Sequence, residues 1–378
     1  MTLDCQRDLF EIPDDISYLN CAYMSPQLRS VREAGVAAIG RKAQPWTITP
    51  ADFFSDSEVA RALFGRLIGA DADGVALVPS VSYGLAVAAA NVRVASGQRI
   101  VVLEDQFPSN VYIWRELAQQ NNAVVVTVPR PHDHDWTSAL LTYIDERTAV
   151  VAVPNCHWTD GSLVDLPTLR TRTREAGAVL VVDAIQSLGA YPLDVNVVQP
   201  DFLVATTYKW LLGPYSLGFL YVAPEQRNGQ PIEHTWIGRA GSENFAGLVN
   251  YQDAFQPGAR RFDVGERSNF TLLPMAIAAL EQILAWGVPE IAATLSTHTA
   301  LIEQEAIRLG LTPIPAARRA GHMIGVRMSS DVPPELPVRL AAAQVYVSVR
   351  GQSLRVSPHV YNTPADIERL FAVLATLV

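Results

Sequence analysis

Three cysteines, Cys5, Cys21 and Cys156, are all that the 378 residues contain, and they stand far apart with no paired spacing. Neither a disulfide framework nor a zinc-ligand pattern fits them, so reduced thiols are expected. Runs of lysine or arginine are missing as well. With a formal net charge of −9, the chain lacks the electrostatic footprint of a nucleic-acid or anionic-membrane binder, which leaves small molecules as the expected partners. No stretch approaches the roughly 18 apolar residues of a membrane span. Asp4, Arg7, Asp8, Glu11, Asp14 and Asp15 interrupt any signal-peptide core near the start, so a cytoplasmic location is expected. No G-x-G-x-x-G follows a strand-like run, which counts against a nicotinamide dehydrogenase. Internal repeats and low-complexity segments are absent.

What the chain has is apolar residue: 49% of it, against 18% charged. That suffices for one large domain and a smaller one. Short Val/Ile/Leu-rich runs recur at residues 74–78, 99–103, 123–128, 149–153, 179–182, 202–205 and 217–222, with longer amphipathic segments between them. Continuous apolar runs mark strands buried on both faces, so the pattern predicts an α/β fold with a mostly parallel sheet flanked by helices. Residues 166–177 carry apolar side chains at helical spacing and end on Gly177, completing a βαβ unit. Beyond about residue 275 the texture changes to two long helices, 272–286 and one ending at Leu309, then short strands at 323–328 and 345–349. A last helix follows over 364–377, with Thr363 as N-cap and Pro364 at its first position. The expected domains are residues 15–275 and a smaller α/β domain, 276–378, on which residues 1–14 pack.

The segment from Val179 to Gly218 carries the chemistry. Its first strand delivers Asp183 to the carboxyl end of a buried run, where ligands bind in open α/β sheets. A carboxylate there needs a cationic or donor partner, because burying it alone is costly. Lys209 follows a second buried run, beside the hydroxyls of Thr206, Thr207 and Tyr208 that a phosphate needs, and Gly213-Pro214 then allows a turn. Upstream, strand 74–78 leads through Pro79-Ser80-Val81-Ser82-Tyr83-Gly84 into an Ala-rich helix. Its first N–H groups and positive dipole end make a suitable phosphate seat.

D-x-x-Q (Asp183, Gln186), then Lys209 in T-T-Y-K 26 residues after the aspartate, then Gly213-Pro214, resembles the class V aminotransferase family of fold-type-I pyridoxal-phosphate (PLP) enzymes. That family includes cysteine desulfurases, kynureninases and isopenicillin N epimerase, and the resemblance runs over nearly the whole chain. It implies PLP as cofactor, held on Lys209 as a Schiff base, with Asp183 on the pyridinium nitrogen and Gln186 donating to the phenolic oxygen. Thr206, Tyr208, Ser82 and the N–H groups of Val81 and Ser82 would take the phosphate. Asp105 to Tyr112 looks like the loop whose aromatic ring stacks on the cofactor; Phe107 stands where desulfurases place a histidine. Trp158, where relatives often have asparagine, and His157 are candidates for the substrate side-chain pocket. Arg355 matches the arginine that pairs with a substrate α-carboxylate, with Arg350 as its rival. The segments 261–269 and 236–239 resemble cross-subunit loops and imply a homodimer with composite sites. Because Glu266 stands where relatives often have threonine, Arg267, Ser268 or Asn269 is expected to reach the partner's phosphate.

The desulfurases' nucleophilic cysteine is absent, since no cysteine follows Cys156. Cys156 itself is expected to be a packed, inert thiol. The leading expectation is therefore an aminotransferase-type enzyme acting on the α-amino group of an amino acid or analogue, using the electron-accepting cofactor ring. PLP-dependent lyase (C–S lyase or kynureninase-like) and epimerase chemistries share its first proton step and remain alternatives, as does a non-catalytic PLP-binding protein.

Overall fold

The computed structural model describes residues 1–328 and 332–376. Its centre is a seven-stranded sheet made of β1 (Val75–Val78), β2 (Arg99–Leu103), β3 (Val124–Val128), β4 (Thr148–Pro154), β5 (Val179–Asp183), β6 (Phe202–Thr206) and β7 (Gly218–Val222). The order across the sheet is β1-β7-β6-β5-β4-β2-β3. Only β7 runs against its neighbours. The reason is the short connection from β6 to β7, residues 207–217, which has no crossover helix to carry the chain back for a parallel return.

Side chains alternate between two cores, as period-two strands covered on both sides require. Val101, Leu103, Val151, Val153, Leu180, Val182, Leu203 and Phe219 pack with Phe64 and Leu280 from helices Asp52–Ile68 and Leu272–Trp286. Ile100, Val102, Val150, Val181, Phe202, Val204 and Leu220 face the other way, against helices Val81–Asn91 and Ser109–Gln120. The helix 166–176 ends as its sequence implies, with Gly177 left-handed at φ 71°.

A second sheet, all antiparallel, has the order β10-β11-β9-β8, from β8 (Thr312–Pro313), β9 (Ile324–Arg327), β10 (Ser348–Arg350) and β11 (Ser353–Val356). Helices Val288–Arg308 and Pro364–Leu374 cover it. The predicted strand 345–349 is broken: Val345–Tyr346 pairs in parallel with Ser17–Tyr18, and only from Ser348 does the chain enter the small sheet. The helix predicted over 364–377 is Pro364–Leu374, with Ala375 and Thr376 in a turn, and residue 377 lies outside the described residues. A boundary after residue 275 would fall within helix Leu272–Trp286, whose Leu273, Ala276 and Leu280 belong to the large sheet's core. The N-terminal residues lie on the C-terminal region: Gln6 N–H donates to the Val360 carbonyl at 2.8 Å, and Phe10 packs on Tyr361 with ring centres 5.0 Å apart. Among the described residues, no single helix is long and apolar enough to cross a membrane.

Candidate active site

β1, β2, β4, β5 and β6 point the same way, so the segments following them open on one edge of the sheet. That edge gathers Ser80–Ser82, Asp105–Phe107, Asn155–Trp158, Asp183–Gln186 and Thr206–Lys209. Two further segments close over it: residues 20–25 and the β10–β11 hairpin.

Lys209 is buried, 6% exposed, and stands in the β6–β7 connection. Thr207 pins that connection. Its N–H donates to the Leu217 carbonyl at 2.9 Å, its hydroxyl donates to Pro214 O at 2.5 Å, and its carbonyl accepts from Gly213 N–H at 2.9 Å. Gly189, at φ 98°, lets the next strand's loop press on the same segment, since a Cβ there would lie 2.3 Å from the Trp210 carbonyl oxygen. The Lys209 ammonium is 5.8 Å from the centre of the Phe107 ring and 5.5 Å from that of Tyr208. Burial, followed by the guanidinium of Arg355, lowers the lysine's pKa to about 7, partly opposed by Asp183. Asp183, at the end of β5, is pushed up to about 6 by burial, against the Ile185 N–H it accepts at 3.1 Å and the charge of Lys209. The two groups sit in a dry setting, which shifts each toward its neutral form.

Gln186 has its amide orientation fixed from behind. The Trp210 indole N–H, which can only donate, gives its hydrogen to Gln186 Oε1 at 3.0 Å, and Gln186 Nε2 donates to the Ala22 carbonyl at 3.2 Å. One amide N–H remains for a further acceptor. His322, fully buried and lowered to about 4 by that burial, bonds the Gln186 carbonyl through Nε2 at 2.6 Å. Residues 20–25 complete this wall: Ser25 N–H donates to the Tyr208 carbonyl at 3.0 Å, and the Cys21 thiol donates to the Lys209 carbonyl at 3.9 Å.

The phosphate end is a helix start pressed onto a strand. Ser80 caps helix Val81–Asn91 by accepting the Tyr83 N–H at 3.1 Å, while its hydroxyl meets that of Ser82 at 2.9 Å. The side-chain cap is therefore Ser80, with Ser82 exposed in the first turn. Gly84 permits the close approach, because a Cβ there would lie 2.7 Å from Val204 Cγ2 on β6. At the end of β6, the Thr206 hydroxyl is buried with no hydrogen-bond partner. A buried hydroxyl left unpaired costs free energy, and a phosphate oxygen would satisfy it. Tyr208 packs its ring on Tyr215, centres 4.6 Å apart.

The opposite end holds Trp158, Arg355 and Arg350. Trp158 lies edge-on to Phe107 at 5.4 Å, donates its indole N–H to the Asp105 carbonyl at 2.6 Å, and offers its own carbonyl to Arg355 Nη1 at 2.8 Å. Arg355 is fully buried, meets no carboxylate among the described residues, and is lowered to about 9 by burial and by Arg350. His157 is not brought to this cluster. Its ring stacks on Trp136 at 5.3 Å, Nδ1 meets the Thr159 hydroxyl at 2.8 Å and Nε2 meets the Glu104 carbonyl at 3.2 Å. With both nitrogens engaged, it braces the loop that presents Trp158.

The three residues expected to reach a partner's phosphate are already engaged within the chain. Arg267 is buried, bonded to Asp263 at 2.5 Å and to Gln256 at 3.2 Å, and Asp263 also holds Arg61 at 2.8 Å; this guanidinium is internal and cannot reach a partner subunit. Ser268 donates its hydroxyl to the Phe53 carbonyl, and Asn269 Oδ1 accepts Leu272 N–H at 2.8 Å. Cys156 and Cys21 are buried thiols whose pKa values burial pushes well up. The wall made by residues 20–25 escaped the sequence reading, as did the Trp210–His322 brace. Trp210, adjacent to Lys209, was the one sequence signal that could have been followed.

A mostly parallel sheet that gathers a buried lysine, a buried aspartate and an open helix start on its carboxyl edge has the architecture of fold-type-I PLP enzymes. The family profile "Aminotransferase class-V" matches residues 49–370, and the chain belongs to that family of PLP-dependent enzymes. It is 30% identical over 321 residues to the uncharacterized aminotransferase YcbU of Bacillus subtilis, covering 84% of this chain and 83% of that one. It is 25% identical over 333 residues to the isopenicillin N epimerase of Streptomyces clavuligerus, covering 84% and 83%. A solved structure of cysteine desulfurase from Thermococcus onnurineus superposes with a TM-score of 0.85 at 19% identity, over 100% of this chain and 99% of that one.

Proposed function

We propose that the protein is an aminotransferase-type enzyme that removes the α-amino group of an amino acid, with Lys209 as cofactor lysine and proton-moving base. The observation that carries this reading is the Lys209 amine itself: buried, brought to about 7, and set between Asp183 and Arg355. A neutral amine is what both attachment to an aldehyde and proton abstraction require. Bound PLP supplies a ring that accepts electrons from Cα.

The chain's residues do the rest. Asp183 holds a proton on the ring nitrogen through a charge-assisted hydrogen bond. Gln186 offers its free N–H to the phenolic oxygen. Thr206 Oγ1, with the Val81 and Ser82 N–H groups, receives the phosphate. Arg355 takes the α-carboxylate as a planar fork, orienting the Cα–H toward Lys209 Nζ. Phe107 covers the ring and excludes water without moving protons. Support for transamination over other outcomes comes from the relative named an aminotransferase, matched over more than four-fifths of both chains.

A homodimer is part of the proposal. Phe53, Trp236, Phe245 and Phe270 form an aromatic cluster with Trp236 42% exposed, beside a groove of about 480 Å³ that Glu266, Ser268 and Asn269 also line. A part-buried aromatic cluster that leaves the Trp236 ring exposed suits a second copy.

Single-turnover mixing of holoenzyme with a panel of amino acids tests the chemistry. Keto acid released while the cofactor passes to its pyridoxamine form is expected. Ammonia released with the aldehyde form retained would replace transamination by elimination.

A further inference from the structure

Arg350 has so far stood only as a rival to Arg355, yet the hairpin geometry gives it a place of its own. β10 and β11 pair with Ser348 opposite Arg355 and Arg350 opposite Ser353. Cross-strand partners share a face and side chains alternate along a strand, so Ser348, Arg350, Ser353 and Arg355 all project on one side. Val349 and Leu354 project on the other, into the small domain's core. Arg350 and Arg355 are diagonal neighbours on that hairpin, with backbones about 7–8 Å apart.

Trp158 joins the two guanidinium groups. Its carbonyl accepts from Arg355 Nη1 at 2.8 Å, and the Arg350 guanidinium lies 5.5 Å from the centre of its ring. Among the described residues neither arginine forms an ion pair. Among the described residues the one side-chain hydrogen bond of Arg350 goes to its neighbour's carbonyl, Val349 O, at 2.8 Å, and the Nε atoms of both arginines are buried without an acceptor there. Two adjacent cations without a counter-charge repel one another and pay for desolvation; Arg350 also appears among the charges that lower Lys209 and Arg355. One α-carboxylate neutralises one fork and leaves the other.

The geometry points to Arg350 as a second anion site, and hence to a substrate class: amino acids whose side chain ends in a second carboxylate. This deepens the proposed function and rests on it for the α-carboxylate being at Arg355. Trp158 is then a positioning residue, its ring fixing the Arg350 plane and its carbonyl fixing Arg355. Arg350 makes no covalent change; it selects.

Absorbance titration of holoenzyme gives the affinity for aspartate and glutamate against asparagine and glutamine, in wild type and Arg350→Gln. Wild type is expected to favour the diacids by about 10-fold or more, the worth of a charged hydrogen bond. Arg350→Gln is expected to lose that preference, while its cofactor absorbance and melting temperature report that it folds and loads PLP. Arg350→Lys, retaining charge without the fork, is expected to keep part of it. No diacid preference in wild type, or a preference that survives Arg350→Gln, overturns the inference. Glutarate and butyrate, which have no amine, separate the two levels of the account: glutarate is expected to raise the holoenzyme's melting temperature more than butyrate. If it does so while no amino acid changes the absorbance, the amino-acid reading falls and the paired-anion site stands.

Discussion

A lysine attacks an aldehyde only as the neutral amine, and Lys209 reaches that state near pH 7, not 10.5, because it is buried beside Arg355. Cofactor added to the cofactor-free protein should therefore attach at a rate that climbs with pH up to about 7 and then levels, followed by absorbance after rapid mixing. A rate still climbing steeply at pH 9 would mean an ordinary solvated lysine. The same shift has a stability consequence. Between about 7 and 10.5 the unfolded chain holds a proton on this lysine that the folded chain has lost, so cofactor-free stability rises with pH across that window. Lys209→Met should flatten the rise and raise stability at pH 7, as denaturant melts at pH 7 and 9 would register. Arg355→Lys keeps a charge but loses the fork, and amino-acid affinity should weaken by about 1–3 kcal/mol; unchanged affinity would hand the α-carboxylate to another group. That Lys209, Asp183, Gln186 and Thr206 gather on one edge of the sheet was legible in the sequence because each stands at or just past the end of an apolar run. His157 and Arg267 were not, since a sequence shows a polar residue near the site without showing that Trp136 and Asp263 have already claimed it.

At the scale of elements, two close approaches set the site, one at Gly189 against the Trp210 carbonyl and one at Gly84. Gly84 lets helix Val81–Asn91 lie against Val204 on β6. Gly84→Ala should push the helix start away from Thr206 and weaken PLP affinity more than it lowers folding stability, measured by cofactor release and by thermal unfolding of the cofactor-free protein. Equal PLP affinity would show that the helix start is not the phosphate seat. The seven strands of the large sheet were readable as continuous Val-, Ile- and Leu-rich runs, but the reversed direction of β7 was not, because an apolar run carries no sign of its direction; only the short 207–217 connection implies it. The pairing of Ser17–Tyr18 with Val345–Tyr346 joins residues more than 300 positions apart through two-residue strands. No local pattern of so few residues identifies such a partner.

For the whole molecule, the N-terminal segment ties the two sheets together: residues 20–22 meet Ser348, Gln186 and Ser357, and the loop 157–162 bonds β9 through Gly325. The site thus depends on both regions being docked, and a second copy on the Trp236 cluster would add a third border. Sedimentation of the active holoenzyme should find a dimer, with Trp236→Glu shifting it toward monomer; a fully active wild-type monomer would contradict the composite site. All of this hangs from one covalent assignment. Borohydride reduction of the purified holoprotein, followed by proteolysis and mass spectrometry, should place the pyridoxyl group on Lys209. A pyridoxyl group on Lys42, the chain's other lysine, or no fixed cofactor at all, would contradict the account.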